Sequence, residues 1–490
     1  MKRIFLALAG LAAVLSAAVA VNTLRQGSRQ LDVPPSAPIA VDADAAAARL
    51  AAALRFRTIS NYEAPDQNAG EFAKLHAYLS ATYPKAHVAL KREVIGGYSL
   101  LYTWEGTDAK AQPVMLMAHQ DVVAISPGTE KDWQVPPFDG VVKDGFVWGR
   151  GAWDDKGNLF AIMEAVEALV GRGFNPRQTV YLAFGHDEEV SGQRGAKAIA
   201  ALLQSRGVRL GYVLDEGMII TEGIMKGLDR PVALVGIAEK GYVTLFLNLT
   251  AKPGHASMPP KPTAIGAMGA ALARLEDSPF PSEIGGVARE MFETVAPEMS
   301  GPNRVLLSNL WLFGPLVKRE LEKTPSTNAM LRTTTALTIV HAGNKDNVLP
   351  GSVEAAVNFR LLPGETQAGV IEHAKTALAN DNIGIKPFAG NAEPSRVSPT
   401  DAQAYRLLNR TVREVFPGTV VAPGLMIGGT DSRHFEAISE NIFRFSPVRA
   451  LPEDLLRFHG TNERIAVKNY AELIVFYQHL LTNSAEAPGP

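Results

Sequence analysis

The chain contains no cysteine in 490 residues. That absence excludes disulfide staples and thiolate ligands, so any metal must be held by nitrogen and oxygen donors. Charge of one sign is missing too. The 48 basic and 50 acidic residues leave a formal charge of −2, and no basic tract carries interleaved aromatics. No nucleic-acid partner is therefore expected. There is no internal repeat, no GxxxxGK[ST], and no full GxGxxG after a first strand. GHASMP is not the nucleophile elbow G-x-S-x-G, so neither nucleotide nor serine-hydrolase chemistry is supported.

What is present is an ordinary globular balance, 46% hydrophobic and 20% charged, in a chain long enough for more than one domain. One long apolar run stands apart. After MKR, Ile4 to Val21 forms 18 apolar or weakly polar residues, and Ala18-Val19-Ala20 has the small-x-small form of a cleavage site. Residues 1–21 read as a signal peptide or a single N-terminal membrane anchor. Either places the rest outside the cytosol: periplasmic, secreted or membrane-anchored.

Residues 22–44, rich in proline and alanine, read as a linker. Helices are expected at Ala45–Leu54 and Glu71–Tyr83, and strands at SLLYTWEG and PVMLMAH. Leu159, Met163, Val166 and Val170 form a helical stripe, TVYLAFG a buried strand, AKAIAALLQSRG a helix, and YVLDEG the start of a strand. Alternating strands and helices argue for an α/β fold, a mostly parallel or mixed sheet flanked by helices. From about Tyr242 the texture changes. YVTLFLNLTAKPGHA, NLWLFG, TTALTIV and SVEAAVNFRLL read as strands, with TAIGAMGAALARL and HAKTALAN as helices. The expected organisation is a catalytic domain, 45–240 and 397–482, interrupted by a smaller α+β domain, 241–396. A flexible tail is expected at 483–490.

The stretch GHDEEVSGQRG sets Asp187, Glu188 and Glu189 side by side. Such mutual repulsion needs compensation. Other polar groups also follow apolar runs: His119 and Asp121 after VMLMA, Asp154 and Asp155 in a glycine-rich loop, Asp215 and Glu216 after YVL, and His459 in RFHGTNE. In open α/β sheets, ligands bind beyond the carboxyl ends of strands. Imidazoles and carboxylates converging there form a set suited to zinc, and divalent cations offset repulsion between neighbouring acids.

These residues carry a resemblance. HQDVV, GRGAWDDKG, HDEEVSG, LDEG, GHAS, NVLPGSVEAAVNFRLLPG, GGTDSRHF and FHGTNE occur in the order found in the M20 family of metallopeptidases and acylases. The likeness extends to its carboxypeptidase S and secreted N-fatty-acyl amino acid synthase/hydrolase branches, and spans residues 50 to 482. The resemblance implies two zinc ions per subunit: His119 and Asp215 on one, Glu189 and His459 on the other, and Asp154 bridging. Glu216 is the alternative to Asp215, which is preferred because it follows the apolar run immediately. Asp121 is expected to orient His119 from the far ring nitrogen, and Glu188 to act as general base. Asp155 is expected to be a loop acid.

The smaller domain is expected to add His255, which in the family stabilises the oxyanion, from its own or a partner's subunit. Asn347 and Arg360 are expected to bind a substrate carboxylate, and Gly428, Gly429 and Thr430 to approach the substrate with backbone N–H groups. Asp431 is expected to order that loop. The implied reaction is hydrolysis of an amide, releasing a C-terminal amino acid from a small peptide. The alternative is hydrolysis or synthesis of N-acyl, including N-fatty-acyl, amino acids; a non-catalytic exported binding protein is the rival of another class. NLWLFGPLV is read as core rather than as the lining of an acyl channel. Monomer and homodimer both remain open.

Overall fold

The computed structural model describes residues 1–486. Helix α1 (Lys2–Arg25) is followed by an irregular segment that reaches α2 (Ala43–Ala53), capped by the Asp42 side chain on Ala45 N–H at 3.0 Å. Then come α3 (Ala69–Thr82), α4 (Pro84–Ala89), β1 (Lys91–Ile95), β2 (Ser99–Trp104) and β3 (Val114–His119). A short ribbon, β4 (Val141–Lys143) and β5 (Phe146–Trp148), precedes α5 (Lys156–Gly171), β6 (Val180–Gly185), α6 (Ala196–Ser205), β7 (Tyr212–Thr221) and β8 (Val232–Glu239).

The chain then forms β9 (Gly241–Thr250), β10 (Gly254–His255), α7 (Ala264–Glu276), α8 (Gly286–Val295), α9 (Gly301–Ser308), α10 (Leu310–Leu321) and α11 (Pro325–Leu331). β11 (Thr334–His341), β12 (Val348–Leu349), β13 (Ser352–Leu361), α12 (Gln367–Leu378) and β14 (Ile383–Pro387) follow. It closes with α13 (Gln403–Val415), β15 (Val420–Met426), β16 (Ile442–Ala450), β17 (Arg464–Ala466) and α14 (Val467–Glu486).

Eight strands form a mixed sheet in the order β1-β2-β6-β3-β7-β16-β8-β15. β3 runs parallel to β6 and β7, β16 parallel to β7, and β15 parallel to β8. β3 is buried along its whole length, so its continuous apolar run reflects helices on both faces. One core packs α2, α5 and α14 on this sheet through Leu50, Phe160, Met163, Val166, Leu473 and Tyr477. A second core lies between the sheet's other face and α6. Each such large side chain contributes about 1.5–3 kcal/mol on burial.

A separate antiparallel sheet, β11-β13-β9-β14, has its own core. Val243, Leu245, Leu247 and Leu249 of β9 face α7 and α12, while Phe246, Asn248 and Thr250 face outward. Period-two alternation is the signature of a half-buried strand.

Two readings of the sequence are corrected. NLWLFG is not a strand but the start of α10. Leu310 and Leu321 pack on the cluster formed by α8 and β15 and Val317 is buried, a helical spacing that a six-residue window does not reveal. Nor is the run core of the smaller sheet, since Trp311, Leu312 and Leu316 are exposed. Residues 483–486 are not a tail: they end α14, where Asn483 donates to Glu414 at 2.7 Å and Ser484 pairs with Tyr212 at 2.8 Å. Residues 487–490 of that expected tail lie outside the described residues.

Candidate active site

The site is built where parallel strands end. His119 is the last residue of β3 and is buried. Its Nε2 lies 2.9 Å from Asp154 Oδ1, and its Nδ1 lies 3.0 Å from the carbonyl of Asp121 and 3.4 Å from Asp121 Oδ1. Asp154 precedes α5, and its second oxygen lies 2.7 Å from His459 Nε2. His459 also meets Glu189 Oε2 at 3.3 Å. One carboxylate, Asp154, thus joins two histidines that are 340 residues apart in the chain.

The neighbouring acids of HDEEVSG are placed by a single 3-10 turn, Glu188–Val190, directly after β6. The buried Asp121 carboxylate accepts the N–H of Glu188 at 3.2 Å and of Glu189 at 3.1 Å, locking that turn beside His119. Gly192 closes it with φ +61°; a Cβ there would lie 1.9 Å from Asp431 Oδ1, so only glycine fits. Asp431, buried with Oδ2 unpartnered, lies beside the same turn, between Gly185 and Gly192.

β7 places the two acids of LDEG differently. Its pairing with β16 is regular to Asp215 opposite Arg444, then jumps to Met218 opposite Phe445, leaving Glu216 and Gly217 as a bulge. Bulges re-aim side chains. Glu216 joins His119 and Asp154 in a group whose ligand atoms lie within 4.8 Å of one another; Asp154, Glu189 and His459 form the second such group. Asp215 accepts the N–H of Glu216 and of Ser432 at 2.9 Å each. In this structure Glu216, rather than the expected Asp215, completes this group. Sequence position does not reveal a bulge.

Electrostatics follow from crowding. Burial opposes charge on His119 and His459, yet hydrogen bonds and attraction to Asp121, Asp154 and Glu189 prevail, raising His119 well above its ordinary pKa and His459 to about 10. Burial pushes Glu188 and Glu216 well above the usual carboxylate range, and neighbouring acids push the same way. Burial also raises Asp215, to about 6, and Glu189, which Asp154 raises further. Glu189 Oε1 is buried without a hydrogen-bond partner. Two histidines, three carboxylates and one orphaned carboxylate oxygen, shared through Asp154, fit a pair of divalent cations in both ligand type and charge.

Sequence reasoning gave no role to several residues that hold the site. Glu463 Oε1 accepts the N–H groups of Gly151, Trp153 and Asp154 at 2.9–3.0 Å, while Oε2 meets Arg150 at 2.6 Å. Arg150 also donates to the carbonyls of His459 and Gly460, so this buried pair ties the Asp154 loop to the His459 loop. The only signal was an acid four residues after His459. Glu239, at the end of β8, accepts Thr430 N–H at 3.0 Å and pairs with Arg433 at 2.6 Å and Arg444 at 3.1 Å. Thr430 thus directs its N–H at Glu239, whereas Gly428 and Gly429 are partly exposed, beside Met426 and Arg433 respectively.

The smaller sheet places its residues differently. Arg360 on β13 stacks over Tyr242 at 4.7 Å, and burial together with nearby Arg433 lowers its pKa. His255 is exposed on a two-stranded ribbon with β12, its Nδ1 2.8 Å from Ser257 Oγ. Asn347 adjoins that ribbon, is exposed, and accepts Ala256 N–H through its carbonyl at 3.1 Å. Neither His255 nor Asn347 belongs to the two metal-ligand groups.

The description "Peptidase family M20/M25/M40" matches residues 115–483. The chain is 42% identical over 475 residues to the probable carboxypeptidase S-like 2 of Dictyostelium discoideum, covering 95% of this chain and 91% of that one. It is 43% identical over 439 residues to an N-fatty-acyl-amino acid synthase/hydrolase of Xenopus tropicalis, covering 89% and 85%. Among solved structures, an M20 family metallo-carboxypeptidase from Sulfolobus solfataricus superposes with a TM-score of 0.63 at 18% identity, over 90% of this chain and 99% of the other. That likeness concerns the fold.

Proposed function

The chain belongs to peptidase family M20/M25/M40 and is an enzyme of the hydrolase class, and on that premise we propose that it is a two-zinc amidohydrolase releasing a C-terminal amino acid from small peptides. The observation that carries this reading is the pair of ligand groups sharing Asp154. His119 and Glu216 would hold one ion and Glu189 and His459 the other, with Asp154 shared between the two groups. When bound, such a pair supplies Lewis acidity, polarising the scissile carbonyl and acidifying water.

The chain's own residues do the rest. Glu188 stands beside the ligand Glu189 without joining either group. Its raised pKa suits a base that takes a proton from water and passes it to the leaving amide nitrogen. Asp121 holds Glu188 and Glu189 in register through their N–H groups. Arg360, half-buried between Tyr242 and Arg433, offers a guanidinium fork to the substrate's carboxylate. His255 faces the developing oxyanion once the smaller sheet, of this subunit or a partner, comes over the site. The proposed domains are residues 45–240 with 397–482, and 241–396, the latter contributing α8 and its neighbours to the large sheet's packing.

A second reading, cleavage or formation of N-fatty-acyl amino acids, rests on the similarly high identity to the Xenopus enzyme. The two differ only in the acyl half. Comparing kcat/KM for dipeptides and N-oleoyl amino acids decides which is preferred. Glu188→Gln tests both at once: turnover should fall by about 10²–10⁴-fold while bound zinc stays at two per chain. Unchanged turnover would remove Glu188 from its role.

A further inference from the structure

Helix α1 is seated on the body of the protein rather than trailing from it. Asn22 Nδ2 donates to Ser308 O at 2.6 Å, Gln26 Nε2 to the same carbonyl at 2.9 Å, and Asn309 Nδ2 to Thr23 Oγ1 at 2.8 Å. Asn309 also lies 3.5 Å from Val19 O, inside the small-x-small segment Ala18-Val19-Ala20. Among the described residues, α1 is the one helix long and apolar enough to cross a membrane, and none of its apolar window is buried. Its 24 residues span about 36 Å, against a hydrocarbon core of about 30 Å.

The docking carries a second apolar surface to the same level. Leu15, Val19 and Ala20 of α1 line an open groove of about 490 Å³ with Val305, Leu312 and Phe313 of α9 and α10. Leu15 lies about 9 Å along the helix from Val21, the last residue of the apolar run. Whatever bathes that part of α1 therefore bathes Leu312 as well. On α10, Trp311, Leu312 and Leu316 are 57%, 37% and 58% exposed, one stripe completed by exposed Pro315 and Arg319. A tryptophan and an arginine flanking aliphatic residues is the composition of a membrane–water interface.

We propose that α1 is retained as an anchor and that the exposed stripe of α10 rests among the lipids of the outer leaflet, fixing how the catalytic sheet stands over the bilayer. The occupant of the groove is phospholipid acyl chain. This inference is independent of the catalytic reading.

The test uses the full-length protein reconstituted in dioleoylphosphatidylcholine vesicles or in the same lipid brominated on its chains. Of the five tryptophans, Trp104, Trp148 and Trp153 are buried and Trp133 is partly so, which leaves Trp311 as the exposed reporter. Brominated lipid should quench its emission severalfold, and Trp311→Phe should remove that quenching. Leu312→Glu with Leu316→Glu should also abolish it, with unchanged hydrolysis of a water-soluble dipeptide showing that the fold is intact. Quenching equal in wild type and Trp311→Phe would overturn the proposal, as would quenching retained in the double glutamate variant. So would a mature protein that begins after Ala20 and does not float with vesicles, or a Trp311 that cross-links to a second copy instead of meeting lipid.

Discussion

The strand-end pocket and the ribbon carrying His255 belong to one chain but hold their functional groups by opposite means. In the pocket His119, Asp121, Asp154 and Asp215 are buried and held by a backbone amide or an opposite charge: Asp121 by two N–H groups, Asp154 by two imidazoles, Asp215 by two N–H groups. On the ribbon His255 and Asn347 are exposed, and the histidine's nearest partner is Ser257 two residues away. A group that must hold a cation is preorganised within one packed sheet. A group that meets only the developing charge of a reaction can stand on a separate element that closes over it.

That contrast breaks first at β7. Glu216→Gln should lower the metal content from two ions per chain to about one and reduce turnover by orders of magnitude, because it removes a charged donor from a buried group. Asp215→Asn should leave both ions bound, since its oxygens face N–H groups. Metal analysis of the two variants side by side reads the difference directly, and the reverse result would restore Asp215 as the ligand.

On the ribbon, His255→Ala should lower kcat by about 10²–10³-fold, the cost of losing one oxyanion donor. Both ions should stay bound, and the thermal midpoint should scarcely change, because substitutions at exposed sites shift stability by about 0.5 kcal/mol or less. Loss of metal in this variant would show that the ribbon helps to build the pocket.

A test that leaves the chemistry untouched probes the seam between the regions. Lys240, fully buried just before β9, donates to the carbonyls of Ala329 and Arg332 at 2.8 Å each. Burial first, and Arg360 second, lower its pKa from 10.5 to about 7. Between those values the unfolded chain binds one more proton than the folded one, so this group makes stability rise with pH across that window. Below pH 7 both states are charged and its contribution is constant at its least favourable. Lys240→Met should flatten the rise by about 1.4 kcal/mol per pH unit, measured by urea unfolding from pH 7 to 10.

Much of this arrangement is legible in the sequence. Six polar positions, His119, Asp121, Glu188 and Glu189 after strands and Asp154 and His459 in loops, come together because buried apolar runs announce the strands and ligands gather where parallel strands stop. Other features are not legible. The start of α10 reads as a strand because the four apolar residues Leu310 to Phe313 fit either period. Glu463 and Glu239 received no role, since accepting backbone N–H groups leaves no mark on residue spacing. Nor does spacing reveal that β8 and β16 bring Glu239 and Arg444 together.

By itself, the sequence determined the donor types, their order along the chain, and the absence of any thiolate among them, since these depend only on which residues are covalently present. Tertiary structure places the two adjacent acids differently: a bulge opposite β16 sets Glu216 with His119 and Asp154, while Asp215 accepts two neighbouring amides. It also decided where α10 shows its apolar side: the helix period exposes Trp311, Leu312 and Leu316 beside α1, and only packing against the α8 and β15 cluster selects which face is left over.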